Sequence, residues 1–344
     1  MEEPIRLKLV DRRQLLYLGI LGAAVFLLLP RVIGLGKVIH VLQTAAPVFL
    51  ALALAAETAR YLASAASTCV LARLFKRVVP FSPMAQTFFV GAAANRVLST
   101  GGAPGMLVRL IFLTRQGVPA GGVATIFLIE DIAGLVVGGL VLLAGVVTFV
   151  SIQPSGVFVS DLAIALSVGS LLLTLIGLFL LRYRAAVEWG VHWLAREIEA
   201  IAARVFQHSI LPPARVQRFL NDFYAGLSAA RRAPSLVAAA FFLNLVRHVA
   251  GLAALYFTFL ALDQAIAPGI LILIYTSASL LSTTSAVPGE VAIMGGGFAV
   301  LFLALGLAPE VALLALLLSR AVTFWLPLPI GYLALLNLRR QRHL

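Results

Sequence analysis

Cysteine and charged residues are scarce in this sequence of 344 residues. Cys69 is the single cysteine, so the chain can form neither an internal disulfide nor a cysteine-based metal cluster. Only 12% of the residues are charged, and the sequence has no His-x-x-x-His pair, no Walker glycine loop and no dinucleotide-binding fingerprint. These absences predict a protein without a metal, a cofactor or an enzymatic activity, and they exclude an ATP-driven pump within this chain.

Hydrophobic residues, in contrast, make up 61% of the chain and give a mean hydropathy of +1.04. Continuous apolar runs of about 20 residues recur from end to end, and that length crosses a bilayer as an α-helix. We therefore predict an all-α integral membrane protein that forms one membrane domain over residues 1–344.

The apolar runs differ in length, which suggests two kinds of membrane element. Full spans are predicted at about 14–34, 47–74, 119–149, 157–181, 234–261 and 309–335. Shorter apolar pieces lie between them in two pairs, 83–98 with 103–116 and 270–286 with 289–306. Such pieces are marginal for a full crossing, so each pair is predicted to be a re-entrant helical hairpin, giving six spans and two hairpins, or eight elements in all.

Positive charge is concentrated on one side of this predicted topology. Of the 26 Lys and Arg residues, 20 fall in segments on that side, which the positive-inside rule assigns to the cytoplasm, together with both termini. The net charge of +12 therefore indicates topology rather than nucleic-acid binding, and we expect a multi-pass protein of the cell membrane, plasma or inner. The segment 184–232 is predicted to be cytoplasmic and amphipathic, with Trp189 and Trp193 suited to the membrane interface.

Both predicted hairpins turn at a similar phrase, LSTGGAPG at 98–105 and LSTTSAVPG at 281–289. Because an odd number of crossings separates them, the unit 47–150 would be repeated in inverted orientation as 234–335. Inverted repeats with broken helices are typical of alternating-access transporters. The residues predicted to break the helices are Gly101, Gly102, Pro104, Gly105, Pro288 and Gly289.

Several charged residues lie in or near the apolar segments, where each costs at least about 2.5–3.5 kcal/mol unless it faces a partner or a cavity. Glu57 and Arg60 are three residues apart on one helix and can pair locally. Glu130 and Asp131 occupy, in the first repeat, the place of Ser319 and Arg320 in the second, which suggests an acid–base pairing between the repeats.

Arg96 and Arg109 flank the first break, where the backbone N–H groups of a helix N-terminus also gather. This combination suits a phosphate, although the arginines could equally extend to the cytoplasmic interface and bind anionic lipid without specificity. At the second break, Glu290 could receive a cationic head group, take part in proton coupling, or pair with Arg247 or Arg320.

The motifs NRVLSTGGAPGMLVRLIFLTRQG at 95–117, the acid pair Glu130-Asp131, VPG at 287–289 and LLLSRAVTFWLPLPIGYLAL at 316–335 together resemble the transmembrane region of lysylphosphatidylglycerol synthases. The likeness extends over about residues 40–338. It implies a lipid flippase-like module, which in the full-length synthases moves aminoacylated phosphatidylglycerol to the outer leaflet. We expect a stand-alone member that lacks the synthase domain and makes no lysyl-lipid itself.

The predicted function is that of a lipid flippase or scramblase for a phosphate-bearing lipid, whose head group could carry an amino acid or a sugar. Expected partners are membrane phospholipids, a separate lipid-modifying enzyme and a second copy of the chain, and no nucleic acid. The predicted head-group ligands are Arg96, Arg109, Arg60, Arg247 and Arg320. Of these, Arg60, Arg247 and Arg320 are expected to form an intramembrane charge network with the acids Glu57, Glu130, Asp131 and Glu290.

Three other functions fit the same sequence. The chain could be a lipid-binding scaffold that docks a synthase or glycosyltransferase without transporting anything, or a secondary transporter of a small solute. An intramembrane enzyme using Glu130, Asp131 and His248 is the third, although no spacing in the sequence assembles these residues.

Overall fold

The computed structural model describes residues 43, 45–98, 102–152, 157–181, 183–206, 213–284, 314–315, 318–319, 321–325 and 327–341. Within these ranges the chain forms α-helices and no β-strand. The helices are α1 Pro47–Ala72, α2 Phe81–Leu98, α3 Ala103–Arg115, α4 Ala120–Ile152, α5 Val157–Leu180, α6 Arg184–Phe206, α7 Pro213–Arg232, α8 Pro234–Ala261, α9 Pro268–Thr284 and α10 Pro327–Arg340. A 3-10 turn extends α1 over Arg73–Phe75, and a π-helical turn at Ala321–Trp325 precedes α10.

Within the described residues, four helices are long and apolar enough to cross a membrane, at Pro47–Phe75, Ala120–Val150, Pro234–Ala261 and Ala321–Arg340. Two shorter apolar helices lie at Ala163–Phe179 and Pro268–Leu280. The predicted class, an all-α integral membrane protein, is therefore confirmed. The number of crossings, the re-entrant hairpins and the orientation stay predictions.

Proline sets the start of many of these helices. Pro47, Pro213, Pro234, Pro268 and Pro327 are each the first residue of a helix. Proline is favourable there because its missing N–H would have no intrahelical partner and its fixed φ already suits the helix. These residues explain why several boundaries can be placed from the sequence to within a residue or two.

The helix bounds agree with most of the predicted segments. Helices α1, α4, α5 and α8 coincide closely with four predicted spans, and α2 and α3 with the arms of the first hairpin. The segment 184–232 contains two helices, α6 and α7. The first predicted span, the second hairpin tip with Pro288, Gly289 and Glu290, Gly101 and Arg320 lie outside the described residues.

At the centre of the fold, α1 packs against α8 in an antiparallel pair. The N–H of Ala46 donates to the carbonyl of Ala261 at 2.8 Å, which ties the start of α1 to the end of α8. Buried small residues, including Ala53 and Ala63 on α1 and Ala254 on α8, let membrane helices approach closely. Around this pair, α2 packs against α10, and α4 packs against α9.

The opposite ends of α1 and α8 form what we call the basic end of the bundle. Here the end of α1, the end of α3 and the beginning of α4 and α8 share one hydrophobic cluster, which includes Leu74, Leu113, Val123 and Ala240. The chain segments at this end carry Arg73, Lys76, Arg77, Arg115, Arg231 and Arg232. The structure thus brings together at one end basic residues that the sequence separates by up to 160 positions.

Candidate functional site

A polar cavity of about 100 Å³ lies where α1, α2, α3, α4 and α8 meet. This space, which we call the central cavity, has room for several water molecules. It is lined by Ser64, Ser67, Phe88, Arg109, Glu130, Asp131, Gly134, Asn244 and Arg247. Four charged side chains from three helices thus face one small space within the membrane domain.

Arg109 and Glu130 form an ion pair on one wall of the central cavity. The Arg109 guanidinium also donates to the Thr68 hydroxyl at 3.0 Å, and that hydroxyl in turn donates to the other carboxylate oxygen of Glu130 at 2.6 Å. The side chains of Arg109 and Glu130 are only 16% and 13% exposed. The positive charge of Arg109 is therefore already neutralised within the protein.

Two aromatic rings hold the Arg109 guanidinium in position. Its central carbon lies 4.4 Å from the ring centroid of Phe88 and 4.5 Å from that of Phe127. An arginine over an aromatic face contributes roughly 0.5–2 kcal/mol, with the larger values at desolvated sites. The rings therefore favour the orientation in which Arg109 pairs with Glu130.

Two buried polar atoms on the cavity lining have no hydrogen-bond partner in the described part of the chain. They are the Ser67 hydroxyl oxygen and the Nε of Arg109, and Ser67 is only 2% exposed. Buried polar groups are nearly always paired, because an unsatisfied one costs about 1–3 kcal/mol. The side chains that carry these atoms, Ser67 and Arg109, both line the central cavity.

Arg247 approaches the central cavity from α8 and is half-buried. Its Nη2 lies 3.2 Å from where a Cβ on Gly134 would stand, so the absence of a side chain on α4 makes room for the guanidinium. Among the described residues, none forms an ion pair or a hydrogen bond with Arg247. Asp131 lines the same cavity but is exposed, which indicates that the cavity opens on its side.

Glu57 and Arg60 form the local pair that their spacing predicts, and this expectation is confirmed. Arg60 donates from Nε and Nη2 to the two carboxylate oxygens of Glu57 at 2.8 and 2.5 Å. Glu57 is 1% exposed, and the guanidinium also lies 4.7 Å from the ring centroid of Tyr61. Like Arg109, Arg60 therefore has a carboxylate partner.

Arg96 lies apart from the residues that line the central cavity. Its guanidinium donates to the backbone carbonyls of Ala92, at 2.8 Å, and Thr323, and to the Tyr61 hydroxyl at 3.2 Å. The side chain thus joins α2 to α1 and to the π-helical turn before α10. The sequence places Arg96 and Arg109 on either side of one break, whereas in the structure Arg109 contacts Thr68 and Glu130 instead.

The first predicted break is a tight turn between α2 and α3. Gly102 has a φ of +87°, in the left-handed region that favours glycine, and Pro104 lies in the first turn of α3. The N–H of Gly105 donates to Asn95 Oδ1 at 2.7 Å. A Cβ on Gly91 would lie 3.1 Å from the Cα of Gly105, so the two arms approach backbone to backbone.

Sequence reasoning missed three polar residues on the cavity lining, Ser64, Ser67 and Asn244. On α1 the signal was present, because polar side chains at positions 57, 60, 61, 64, 67 and 68 recur every three or four residues. This spacing places them on one face of a helix.

Among the described residues, no group of His, Cys, Asp and Glu could hold a metal ion.

Comparison with known proteins gives a single type of match. The family model for the lysylphosphatidylglycerol synthase TM region matches residues 15–331, which is most of the chain. No curated protein and no solved structure matches this sequence.

Proposed function

Because this chain belongs to the family of the lysylphosphatidylglycerol synthase transmembrane region, we propose that it moves a phosphate-bearing lipid between the two leaflets of the cell membrane. The family is often linked to lipid flippase function. The proposal for this chain rests on the chemistry of the central cavity.

The observation that carries the proposal is the available positive charge of Arg247. Arg60 and Arg109 are each neutralised by a carboxylate, whereas Arg247 faces the central cavity without such a partner in the described part of the chain. A guanidinium in a partly buried site favours an anion, and its planar fork can hold two phosphate oxygens at once. Arg247 is therefore the proposed phosphate ligand.

Other groups around the cavity complement such a head group. In the described part of the chain the buried Ser67 hydroxyl and Arg109 Nε have no hydrogen-bond partner, and a phosphate offers several acceptor oxygens. The Asp131 carboxylate, at the open side of the same cavity, can receive an ammonium or hydroxyl group. The lining thus fits a head group that carries a phosphate together with an amino acid or a sugar.

The depth of the cavity suits transfer between leaflets. Ser67 is eight residues from the end of the 3-10 turn at Phe75, and Arg247 is thirteen residues from the start of α8. At 1.5 Å per residue, the cavity lies roughly 12–20 Å from the basic end, in a hydrocarbon core about 30 Å thick. By the positive-inside rule the basic end faces the cytoplasm, so a head group at Arg247 would lie about 20 Å from the cytoplasmic end of the bundle, deep within the hydrocarbon core.

No ATP site can be recognised in the sequence, so the movement would be either a downhill exchange or driven by an ion gradient. The packing of α2 against α10 and of α4 against α9 supports two halves related by inversion, since each half's second helix packs against the other half's last helix. In transporters of this kind the substrate is handled where the halves meet.

Liposomes that contain the purified protein and lipids labelled in one leaflet test the function. The wild-type protein should redistribute the label faster than empty vesicles. Arg247→Gln should lower that rate roughly ten- to a hundredfold, because a hydrogen bond to a charged group contributes about 1.5–3 kcal/mol. The matched control is Arg196→Gln, which removes an exposed arginine on α6 and should leave the rate unchanged.

Two results would contradict the proposal. A wild-type rate no faster than that of empty vesicles would favour the scaffold function. Equal rates for Arg247→Gln and wild type would show that the cavity charge does not handle the lipid.

A further inference from the structure

A second cavity, larger and almost wholly apolar, lies between α4, α5, α7 and α8 at the basic end. Its volume is about 520 Å³, and eleven of its twelve lining residues are apolar, the twelfth being Arg231. We call it the apolar groove. Its walls include Leu128, Ile132, Leu181, Leu227 and Phe241.

The size and lining of the apolar groove suit an apolar chain. Protein interiors contain few voids larger than a water molecule, whereas ligand sites typically measure about 300–1,000 Å³. Cavities lined by apolar side chains stay dry, so water is a poor occupant. In a membrane, the abundant flexible apolar ligand is the acyl chain of a lipid.

Arg231 gives the apolar groove a charged end. It lies in the last turn of α7, is exposed and is followed by Arg232, two residues before α8 begins at Pro234. Arginines at this level can reach the head-group region while their stems cover apolar surface. An apolar space that ends at an exposed arginine is complementary to a phospholipid, with its chain inside and its phosphate at the guanidinium.

The apolar groove and the central cavity share two helices. On α8 the groove lining ends at Phe241, and the cavity lining begins at Asn244, about 4.5 Å further along the axis. On α4, Ile132 lines the groove and the neighbouring Asp131 lines the cavity. The groove therefore lies between the basic end and the proposed head-group site.

We propose that the apolar groove binds one acyl chain of an anionic phospholipid from the leaflet at the basic end, with the lipid phosphate at Arg231. A lipid held there would wait for its head group to move on to Arg247. This waiting role, in which a bound lipid is held before transfer, rests on the proposed function. The binding of the acyl chain in the groove does not.

Photo-crosslinking of the full chain in vesicles tests this site. The probe is phosphatidylglycerol with a diazirine in one acyl chain, and the labelled residues are mapped by mass spectrometry. Labels should concentrate on groove-lining residues of α4 and α8. Ala238→Trp, which fills the groove, should lower this labelling at least fivefold. Its matched control is Val249→Trp, on α8 but 52% exposed and outside the groove lining, which should leave the labelling unchanged.

The charge at the end of the groove is tested in the same vesicles. Arg231→Gln should lower the labelling about fivefold at subsaturating probe, since one basic side chain near an anionic membrane contributes roughly that factor. Arg247→Gln should leave the groove labelling unchanged while it slows lipid redistribution. If Arg231→Gln had no effect, the phosphate contact would be wrong.

Other outcomes separate this inference from the proposed function. Labelling spread evenly over the outer surface, or insensitive to Ala238→Trp, would overturn the groove site. So would an unlabelled groove filled by another part of the chain, such as the apolar residues 14–34. If Ala238→Trp abolished labelling but left redistribution unchanged, the waiting role would be wrong. Groove labelling without any lipid redistribution by the wild type would overturn the proposed function and leave the groove site standing.

Discussion

Replacing Asn244 by glutamate should neutralise the charge of Arg247 while leaving that side chain in place. The required geometry already exists on α1, where Glu57 stands three residues before Arg60 and accepts two hydrogen bonds of 2.8 and 2.5 Å from it. On α8, Asn244 stands three residues before Arg247, so the two side chains have the same relation on the helix surface. Asn244 is buried and uncharged, and its amide donates to the Ala240 carbonyl at 3.1 Å.

The magnitude follows from what an incoming phosphate would have to displace. Two charge-assisted hydrogen bonds of the Glu57–Arg60 type contribute about 1.5–3 kcal/mol each when desolvated. The Arg60 side chain is 27% exposed, so solvent screens part of this energy and a total of about 2 kcal/mol is appropriate for the new pair. That corresponds to roughly thirtyfold weaker anion binding. The rate of lipid redistribution in liposomes is the measurement.

Asn244→Gln is the control, because glutamine has the length of glutamate without its charge. We expect the glutamate variant to be about thirtyfold slower than the glutamine variant, with an apparent Tm at least as high, since the glutamate adds an ion pair. The double variant with Arg247→Gln should be no slower than Arg247→Gln alone, because both changes remove the same charge. Equal rates for the two Asn244 variants, or additive losses in the double variant, would refute the reasoning.

Two further predictions concern stability and are read as apparent Tm in detergent. Arg109→Met and Glu130→Gln should each lower the free energy of unfolding by about 3–5 kcal/mol, because each leaves a buried charge without its partner. The double variant should lose less stability than the sum of the two single losses, and additive losses would contradict the ion pair. Gly105→Ala should lower the free energy of unfolding by about 1–2 kcal/mol. The new Cβ would lie 2.7 Å from Asn95 Nδ2 and break the hydrogen bond that the Gly105 N–H donates to Asn95. An unchanged Tm would show that the turn between α2 and α3 can adjust.

Much of the helix arrangement could be predicted from the sequence, because its signals are local. Apolar runs of membrane-spanning length give the spans, and prolines such as Pro47 and Pro234 fix where helices begin. The Glu57–Arg60 pair could be predicted for the same reason, since partners three residues apart on one helix depend on helix geometry alone.

The main ion pair of the central cavity could not be predicted, because it depends on how separate helices face one another. Arg109 and Glu130 are 21 residues apart on α3 and α4, and the rotation of each helix about its axis decides whether they meet. The sequence placed Arg109 beside Arg96 at a common break, whereas the structure gives them different partners. Asn244 carried no signal of its own, because one neutral polar residue in a membrane helix is common.

The contrast between α1 and α8 explains how this antiparallel pair could present an anion site on one helix only. Arg60 lies fifteen residues from Phe75, and Arg247 thirteen residues from Pro234, so the two antiparallel helices place them about 22 and 20 Å from the basic end. At nearly the same depth, then, Arg60 is paired with Glu57, whereas the residue three positions before Arg247 is the neutral Asn244. A difference of one side chain at equivalent positions therefore separates a structural ion pair from a proposed ligand site. A phosphate held by Arg247 would thus lie about 20 Å from the basic end, deep within a hydrocarbon core about 30 Å thick, as an exchange between the leaflets requires.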